Sequence, residues 1–271
     1  YGKFGVQFFF VISGFVITYS MLNSAFHTKN YFRFLLKRII RIEPPYLLVL
    51  LLTVIFLWVR VKSGFGQGAL FIPGWKQILL HIGYLIPFSD YKWLNIVFWT
   101  LAIEFQFYLF FPLIFVKFIR CNAVRWIATA IFVLFFFLSH SEAHFFYWSP
   151  VFLMGINLAL YKKKLIRGSE LWILFWLLNI IIFYKLGAAI GIFAVVPFLL
   201  ILFEPGLKVG LLNFLGKISY SMYLLHTLVA FAIINLGIRY ATHGYLKTFF
   251  IILAVALTLL CSYLLYYFVE K

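Results

Sequence analysis

Residues 94–118 read LNIVFWTLAIEFQFYLFFPLIFVKF, and within this run the charged side chains are those of Glu104 and Lys117. An α-helix rises 1.5 Å per residue, so about 20 apolar residues cross the hydrocarbon core of a bilayer. The run therefore predicts a transmembrane helix. Glu104 lies ten residues along it, roughly 15 Å from its start and near the middle of the membrane.

Similar runs recur along the chain, which is 65% apolar and 11% charged. An ordinary soluble domain is about 45–50% apolar and about 25% charged, so the composition excludes a water-soluble globule. The nine candidate spans are Phe4–Leu22, Pro44–Val61, Leu94–Phe118, Trp126–His140, Phe145–Tyr161, Leu171–Tyr184, Gly187–Phe203, Ser219–Ile238 and Thr248–Val269. None shows the alternation of a barrel strand, and lipid cannot satisfy open backbone groups. We predict an all-α, polytopic transmembrane helical bundle forming one domain over residues 1–271.

Two segments outside these runs also predict helices. The stretch Trp75–Phe88 carries Lys76 and His81 and is too short to span, which favours a short helix lying at the membrane interface. Residues 32–46, FRFLLKRIIRIEPPY, predict a basic helix that ends before Pro44.

The net charge of +16 suggests nucleic acid in a soluble protein, but here it reflects membrane topology. Counted over alternate loops, 15 of the 23 Lys and Arg residues fall on one side, which the positive-inside rule makes cytoplasmic. Nine spans with a cytoplasmic C-terminus place Tyr1 outside. We therefore expect one further span upstream, giving ten.

Ionisable groups inside spans are costly, and two stand out, Glu104 and His226. Glu104 is either a structural hydrogen-bonding group or a functional carboxylate. His226 is either functional or a neutral imidazole bonded to a carbonyl or hydroxyl on a neighbouring helix.

Arg38 and Arg41 share a helical face at the cytoplasmic border, where they form a phosphate clamp or carry topological or lipid-headgroup charge. The two cysteines have no metal-ligand spacing, and we predict no metal site.

Three stretches together resemble the acyltransferase-3 family of integral membrane O-acyltransferases. The first is GKFGVQFFFVISGF at 2–15 followed by the basic segment at 32–46, the second is FWTLAIEFQFYLFFP at 98–112, and the third is FLGKISYSMYLLH at 214–226. The matching positions are Gly5, Val6, Phe9, Phe10, Ser13, Gly14, Phe15, Phe34, Arg38, Arg41, Pro44, Trp99, Thr100, Leu101, Glu104, Phe107, Tyr108, Pro112, Gly216, Ser219, Tyr220, Tyr223 and His226. Close helix packing explains Gly14 and Gly155 as well as a cavity does.

The resemblance implies transfer of an acyl group, acetyl from acetyl-CoA, to a hydroxyl of a glycan or lipid-linked sugar. It implies a multi-pass protein of the bacterial inner membrane that modifies cell-envelope polysaccharide. On this interpretation Arg38 and Arg41 bind the coenzyme, while Glu104 and His226 orient groups in a central cavity as catalytic residues. The expected partners are membrane lipid, the saccharide acceptor and acyl-CoA, with no nucleic acid. The resemblance also implies a first span with an Arg and a His, which we expect upstream of Tyr1.

Two other functions fit the same residues. Membrane-buried Glu and His also occur in the proton relays of transporters and flippases, although no inverted repeat is evident. A truncated, non-catalytic relative is the third interpretation.

Overall fold

The structure, a computed structural model, describes residues 5–64, 71–204, 206, 209–240 and 244–271, with the backbone alone at 238–240. These residues form helices and turns and contain no strand, which confirms the all-α class. The α-helices are α1 (Gly5–Asn23), α2 (Tyr31–Ser63), α3 (Trp75–Ile82), α4 (Phe98–Arg120), α5 (Asn122–Leu138), α6 (Phe145–Lys162), α7 (Gly168–Leu186), α8 (Ala188–Phe203), α9 (Gly210–Lys217), α10 (Ser219–Tyr240) and α11 (Gly244–Leu265). Short 3₁₀ turns occupy Thr28–Asn30 and Ile86–Phe88, and Tyr266–Glu270 is π-helical. Phe4, where the first predicted span begins, lies outside the described residues.

Six helical segments of the described chain are long and apolar enough to cross a membrane. They are Gly5–Asn23, Thr28–Ser63, Phe98–Arg120, Gly168–Leu186, Ser219–Gly237 and Gly244–Glu270. This set confirms a polytopic helical membrane protein. The remaining three predicted spans form α5, α6 and α8, which are shorter or less apolar, and their membrane crossing stays a prediction.

The chain divides into two compact units. Unit 1 comprises Tyr1–Leu35 and Ala102–Leu207, and unit 2 comprises Leu36–Leu101 and Lys208–Lys271. Helices α2 and α4 each contribute residues to both units. The single-domain organisation stays a prediction.

The core of unit 1 is α6, which contacts α1, α5, α7 and α8. It is buried along most of its length, from Trp148 to Leu160 without interruption. A helix surrounded by protein needs less hydrophobicity than one facing lipid, which explains why α6 accommodates Ser149 and Asn157.

Helices α1 and α6 approach so closely that their backbones touch. A Cβ atom at Gly155 would lie 2.0 Å from the Val11 carbonyl oxygen, and one at Gly14 would lie 2.3 Å from the Phe152 carbonyl oxygen. The Phe10 ring stacks on Phe152 at 4.8 Å, and further along the Lys163 ammonium lies 4.4 Å from the Tyr19 ring centroid. Contacts that advance together along both helices show that α1 and α6 run parallel. Of the two explanations left open for Gly14 and Gly155, the structure shows close helix packing.

One predicted helix boundary is wrong. The basic segment was expected to end before Pro44, whereas α2 continues from Tyr31 to Ser63 with Pro44 and Pro45 inside it. Proline removes one backbone donor and crowds the preceding turn, but membrane helices tolerate it where neighbouring groups satisfy the backbone. In the same turn, the Tyr220 hydroxyl donates to the Ile42 carbonyl at 2.9 Å and ties α2 to α10 beside the prolines.

The segment predicted to lie at the interface forms α3, which ends at Ile82 rather than continuing to Phe88. Its buried face is polar, with Gln77 and His81, while Trp75 and Leu79 are exposed. A helix that buries a polar face in unit 2 and exposes apolar side chains fits a position between protein and lipid. The interfacial position of α3 stays a prediction.

His81 holds this part of unit 2 together. It is completely buried, its Nδ1 lies 2.8 Å from the Gln77 carbonyl oxygen, and its Nε2 accepts the Leu94 amide at 3.1 Å. The Tyr46 hydroxyl donates to the His81 carbonyl at 2.8 Å. A nitrogen that accepts an amide proton is unprotonated, so the imidazole is neutral with its hydrogen on Nδ1.

We expect Gly155→Ala to destabilise the protein by about 1–3 kcal/mol, because the new methyl group overlaps the backbone of α1. Size-exclusion chromatography of samples heated to a series of temperatures will show an unfolding midpoint lower by roughly 2 °C or more. Gly168→Ala is the control, since its nearest contact would be the Tyr161 ring at 3.8 Å. A midpoint for Gly155→Ala equal to that of the control would contradict the close packing of α1 on α6.

We expect acid to destabilise the fold through His81. Burial lowers the pKa of His81 below its usual value of about 6.5, so below that pH the unfolded chain binds the proton more readily. The stability contributed by the neutral ring is complete above pH 6.5 and is lost as the pH falls towards the folded-state pKa. The wild-type unfolding midpoint therefore drops between pH 7.5 and 5.5, and the drop is smaller in His81→Gln. His27→Gln, at an exposed position, keeps the wild-type drop; an equal drop in His81→Gln would exclude His81 as the cause.

Candidate functional site

The carboxylate of Glu104 is the centre of a polar cluster in unit 1. Glu104 lies on α4 and is 7% exposed. Its Oε1 accepts hydrogen bonds from the Ser13 hydroxyl of α1 at 3.0 Å and from the Tyr108 hydroxyl at 2.5 Å. Tyr108 is one helical turn beyond Glu104, which places the two side chains on one face of α4. Two hydroxyl donors compensate part of the cost of burying this carboxylate.

Aromatic rings enclose the outer part of this cluster. The Phe34 ring meets Tyr108 edge to face at 6.4 Å, and Phe26 packs against Phe34 at 5.7 Å. The Tyr31 hydroxyl donates to the Leu109 carbonyl at 3.1 Å, which fixes the start of α2 against α4 within unit 1. Phe34, Ser13 and Tyr108 come from the motifs of the sequence; Ser13 and Tyr108 bond Glu104, and Phe34 packs on Tyr108.

A second polar cluster, in unit 2, joins the second and third motifs. The Thr100 and Tyr223 hydroxyl oxygens are 2.5 Å apart, and Tyr223 also donates to the Val97 carbonyl at 3.1 Å. The Asn95 Oδ1 accepts from the Val97 amide at 3.3 Å and from the Thr227 hydroxyl at 2.6 Å. These bonds lock the start of α4 to α10. Sequence reasoning gave no role to Asn95 or Thr227, and their position one turn from motif residues is the signal that marks them.

His226 lies on the same helix, α10, with an exposed side chain. Its Nδ1 lies 2.8 Å from the Tyr223 carbonyl oxygen. This carbonyl is three residues earlier on α10 itself, and the choice between a functional and a structural His226 stays open. His226 lines an apolar cavity of about 500 Å³ between α10 and α11, together with Tyr223 and Thr258.

The two arginines lie on the part of α2 that belongs to unit 2. Arg38 is half-buried and Arg41 is exposed. Arg41 interacts electrostatically with Glu270, whose carboxylate accepts a hydrogen bond from the Ser221 hydroxyl. The cluster connects the first and third motifs at this end of unit 2.

Sequence reasoning missed a further acidic group, Glu43, two residues after Arg41. The Tyr84 hydroxyl donates to its carboxylate, and Tyr84 stacks on Tyr46 at 5.0 Å. Burial, and secondarily the charge of Glu43, raise the pKa of Tyr84 above its ordinary value. Tyr84 has a φ of 55°, in the left-handed region that is costly for a bulky residue. The signal in the sequence was the rarity of acidic residues, of which the chain has seven.

The structure thus brings motif residues together within each unit. Glu104 joins Ser13 and Tyr108 in unit 1, whereas Arg38, Arg41 and His226 belong to unit 2. The predicted central cavity shared by Glu104 and His226 stays a prediction. Among the described residues, no three His, Cys, Asp or Glu side chains are grouped to bind a metal ion.

Known proteins resemble this chain in sequence. Two relatives are both named O-acetyltransferase OatA, from Staphylococcus aureus strains NCTC 8325 and COL, and each is 25% identical over 322 aligned residues. The alignments cover 99% of this chain and 52% of each relative, so the chain spans about half the length of the curated relatives it matches. No solved structure matches it.

The sequence model of the acyltransferase domain family matches residues 1–267. This confirms the family suggested by the three motifs, whose residues also meet in the two polar clusters. The chain belongs to the acyltransferase-3 family.

Proposed function

We propose that this chain is the catalytic membrane part of an O-acyltransferase. It transfers an acyl group, acetyl in the simplest case, from a coenzyme A thioester to a hydroxyl of a glycan or lipid-linked sugar. The observation that carries the proposal is the buried Glu104 carboxylate bonded by Ser13 and Tyr108. The family match favours acyl transfer over the transporter interpretation.

In the proposed reaction the acceptor oxygen attacks the thioester carbonyl carbon, the carbon–sulfur bond breaks, and coenzyme A leaves as the thiol. The acceptor hydroxyl loses a proton as its oxygen forms the new ester bond, and the departing sulfur takes up a proton. A base and hydrogen-bond donors lower the barrier of such a transfer.

Two side chains of this chain suit parts of that chemistry. Glu104 is a carboxylate held in place by two hydroxyl groups, and it positions polar groups beside it. His226 directs its Nδ1 to the Tyr223 carbonyl, so a neutral ring carries its lone pair on Nε2, where it accepts a proton. Both are proposed catalytic residues, each acting in its own unit.

The coenzyme requires a site for its diphosphate. Arg38 and Arg41 are three residues apart on α2, which aligns their guanidinium groups along one face. Arginine recognises phosphate oxygens through paired N–H donors, and the diphosphate would exchange with Glu270 at Arg41. The diphosphate then lies at the cytoplasmic end of α2 in the orientation predicted from the charge count.

We expect the double substitution Arg38→Ala with Arg41→Ala to weaken acetyl-CoA binding by at least tenfold. The full-length protein in lipid nanodiscs is titrated with radiolabelled acetyl-CoA, and acetyl transfer to added saccharide is measured in the same preparation. The control is Lys29→Ala with Arg33→Ala, which removes the same charge from exposed positions nearby.

The control separates a phosphate clamp from general membrane charge. Retention of wild-type affinity in the control, with loss in the Arg38 and Arg41 variant, supports the clamp. If acetyl-CoA affinity falls equally in both variants, the arginines contribute only topological or lipid-headgroup charge. No measurable acetyl-CoA binding by the wild-type protein would overturn the proposed function.

A further inference from the structure

Unit 2 contains a second cavity, of about 520 Å³, which we name the Asn95 cavity. Its lining combines aromatic and polar side chains, among them Arg60, Trp93, Asn95, Thr227, Phe231 and Asn235. Volumes of this size are typical of sites for small organic ligands, which pair apolar walls with a few fixed polar groups.

The amide of Asn95 is held in one orientation. Its Oδ1 accepts the Val97 amide and the Thr227 hydroxyl, so the other end of the amide is the Nδ2 donor. Asn95 is 6% exposed, and its Nδ2 has no hydrogen-bond partner among the described residues. Buried donors are nearly always paired in native proteins. An acceptor atom on a bound ligand would pair the Asn95 Nδ2.

The composition of the lining indicates the class of ligand. Trp93 and Phe231 offer ring faces, on which the C–H face of a sugar packs, while Asn95 and Asn235 offer the donors and acceptors that hydroxyl groups require. The guanidinium of Arg60 lies 5.9 Å from the Phe56 ring centroid, and none of the described lining residues is acidic. A purely hydrocarbon chain would leave the Asn95 donor unpaired, whereas a sugar hydroxyl or acetamido oxygen satisfies it.

The cavity is connected to the motif residues through one peptide group. The Val97 amide donates to Asn95, and the Val97 carbonyl accepts from the Tyr223 hydroxyl, whose oxygen is bonded to Thr100. Thr227, which also bonds Asn95, is one helical turn after Tyr223 on α10. A ligand at Asn95 therefore contacts the same hydrogen-bonded cluster that joins the second and third motifs.

We infer that the Asn95 cavity binds a sugar ring through the Asn95 Nδ2 donor and the Trp93 ring, and that this sugar is the acyl acceptor. The identification as the acceptor rests on the proposed function, whereas saccharide binding does not. The charge count predicts that the Arg60 end of α2 faces the exterior, where an envelope glycan is found.

The test is saturation-transfer NMR on the full-length protein in lipid nanodiscs, without detergent sugars and without any acyl donor. The probes are maltotriose, mannotriose and triacetylchitotriose, each titrated to obtain Kd. The wild-type protein is expected to transfer saturation to at least one of them. Asn95→Asp, which replaces the donor by an acceptor, and Trp93→Leu each weaken that binding by at least tenfold.

Asn213→Asp is the matched control, because Asn213 is exposed on α9 outside the cavity lining, and it is expected to bind as the wild type does. If Asn95→Asp does not elute as a monodisperse protein, Thr227→Val replaces it, since this variant removes one of the two hydrogen bonds that orient the Asn95 amide and a hydroxyl from the cavity lining. Wild-type affinity in the cavity variants, or no saturation transfer to any probe, would overturn the inference.

The outcomes separate this inference from the proposed function. Saccharide binding that depends on Asn95, in a protein that transfers no acetyl group, leaves the sugar site intact and removes the acyltransferase activity. Undiminished acetyl transfer to a saccharide by both cavity variants places the acceptor elsewhere while the activity stands.

Discussion

A carboxylate buried in an apolar helix bundle is the constraint on which unit 1 depends. Glu104 keeps its place because Ser13 and Tyr108 donate to it, and Ser13 reaches it only if α1 lies close to α4. The next residue, Gly14, presses α1 against the backbone of α6, where Gly155 removes the side chain that would separate them. The position of α1 thus requires glycine at the α1–α6 contact and brings Ser13 to Glu104.

In unit 2, hydrogen bonds from buried polar side chains hold short non-helical segments against the helices. His81 bonds the backbone of its own helix and of the segment before α4, and Asn95 bonds Val97 and Thr227. Such bonds are needed because a non-helical backbone survives near a bilayer only where protein groups satisfy it. The same bonds bring Tyr223 to Thr100, so motif residues far apart in the sequence share one cluster.

The sequence predicted the helical class and the burial of Glu104, because apolar runs and an isolated acidic residue are local features. It left packing and cavity lining as equal explanations for Gly14 and Gly155. It failed at Pro44, which lies inside α2 instead of ending a helix, and at α3, where apolar side chains face outward and Gln77 and His81 face inward. The partnership of Glu43 with Tyr84, and the orientation of the Asn95 amide, depend on contacts between elements that no local pattern encodes.

We propose that Glu104 serves acyl transfer and not helix packing alone, and the decisive experiment is acetyl transfer from radiolabelled acetyl-CoA in proteoliposomes. Glu104→Gln keeps the shape and the capacity to accept hydrogen bonds from Ser13 and Tyr108, so the variant is expected to insert and fold. We expect a rate more than tenfold lower, a loss of about 1.4 kcal/mol or more in transition-state stabilisation. Glu142→Gln, at an exposed position, keeps the wild-type rate. A wild-type rate in Glu104→Gln would remove Glu104 from the reaction and leave it a structural residue.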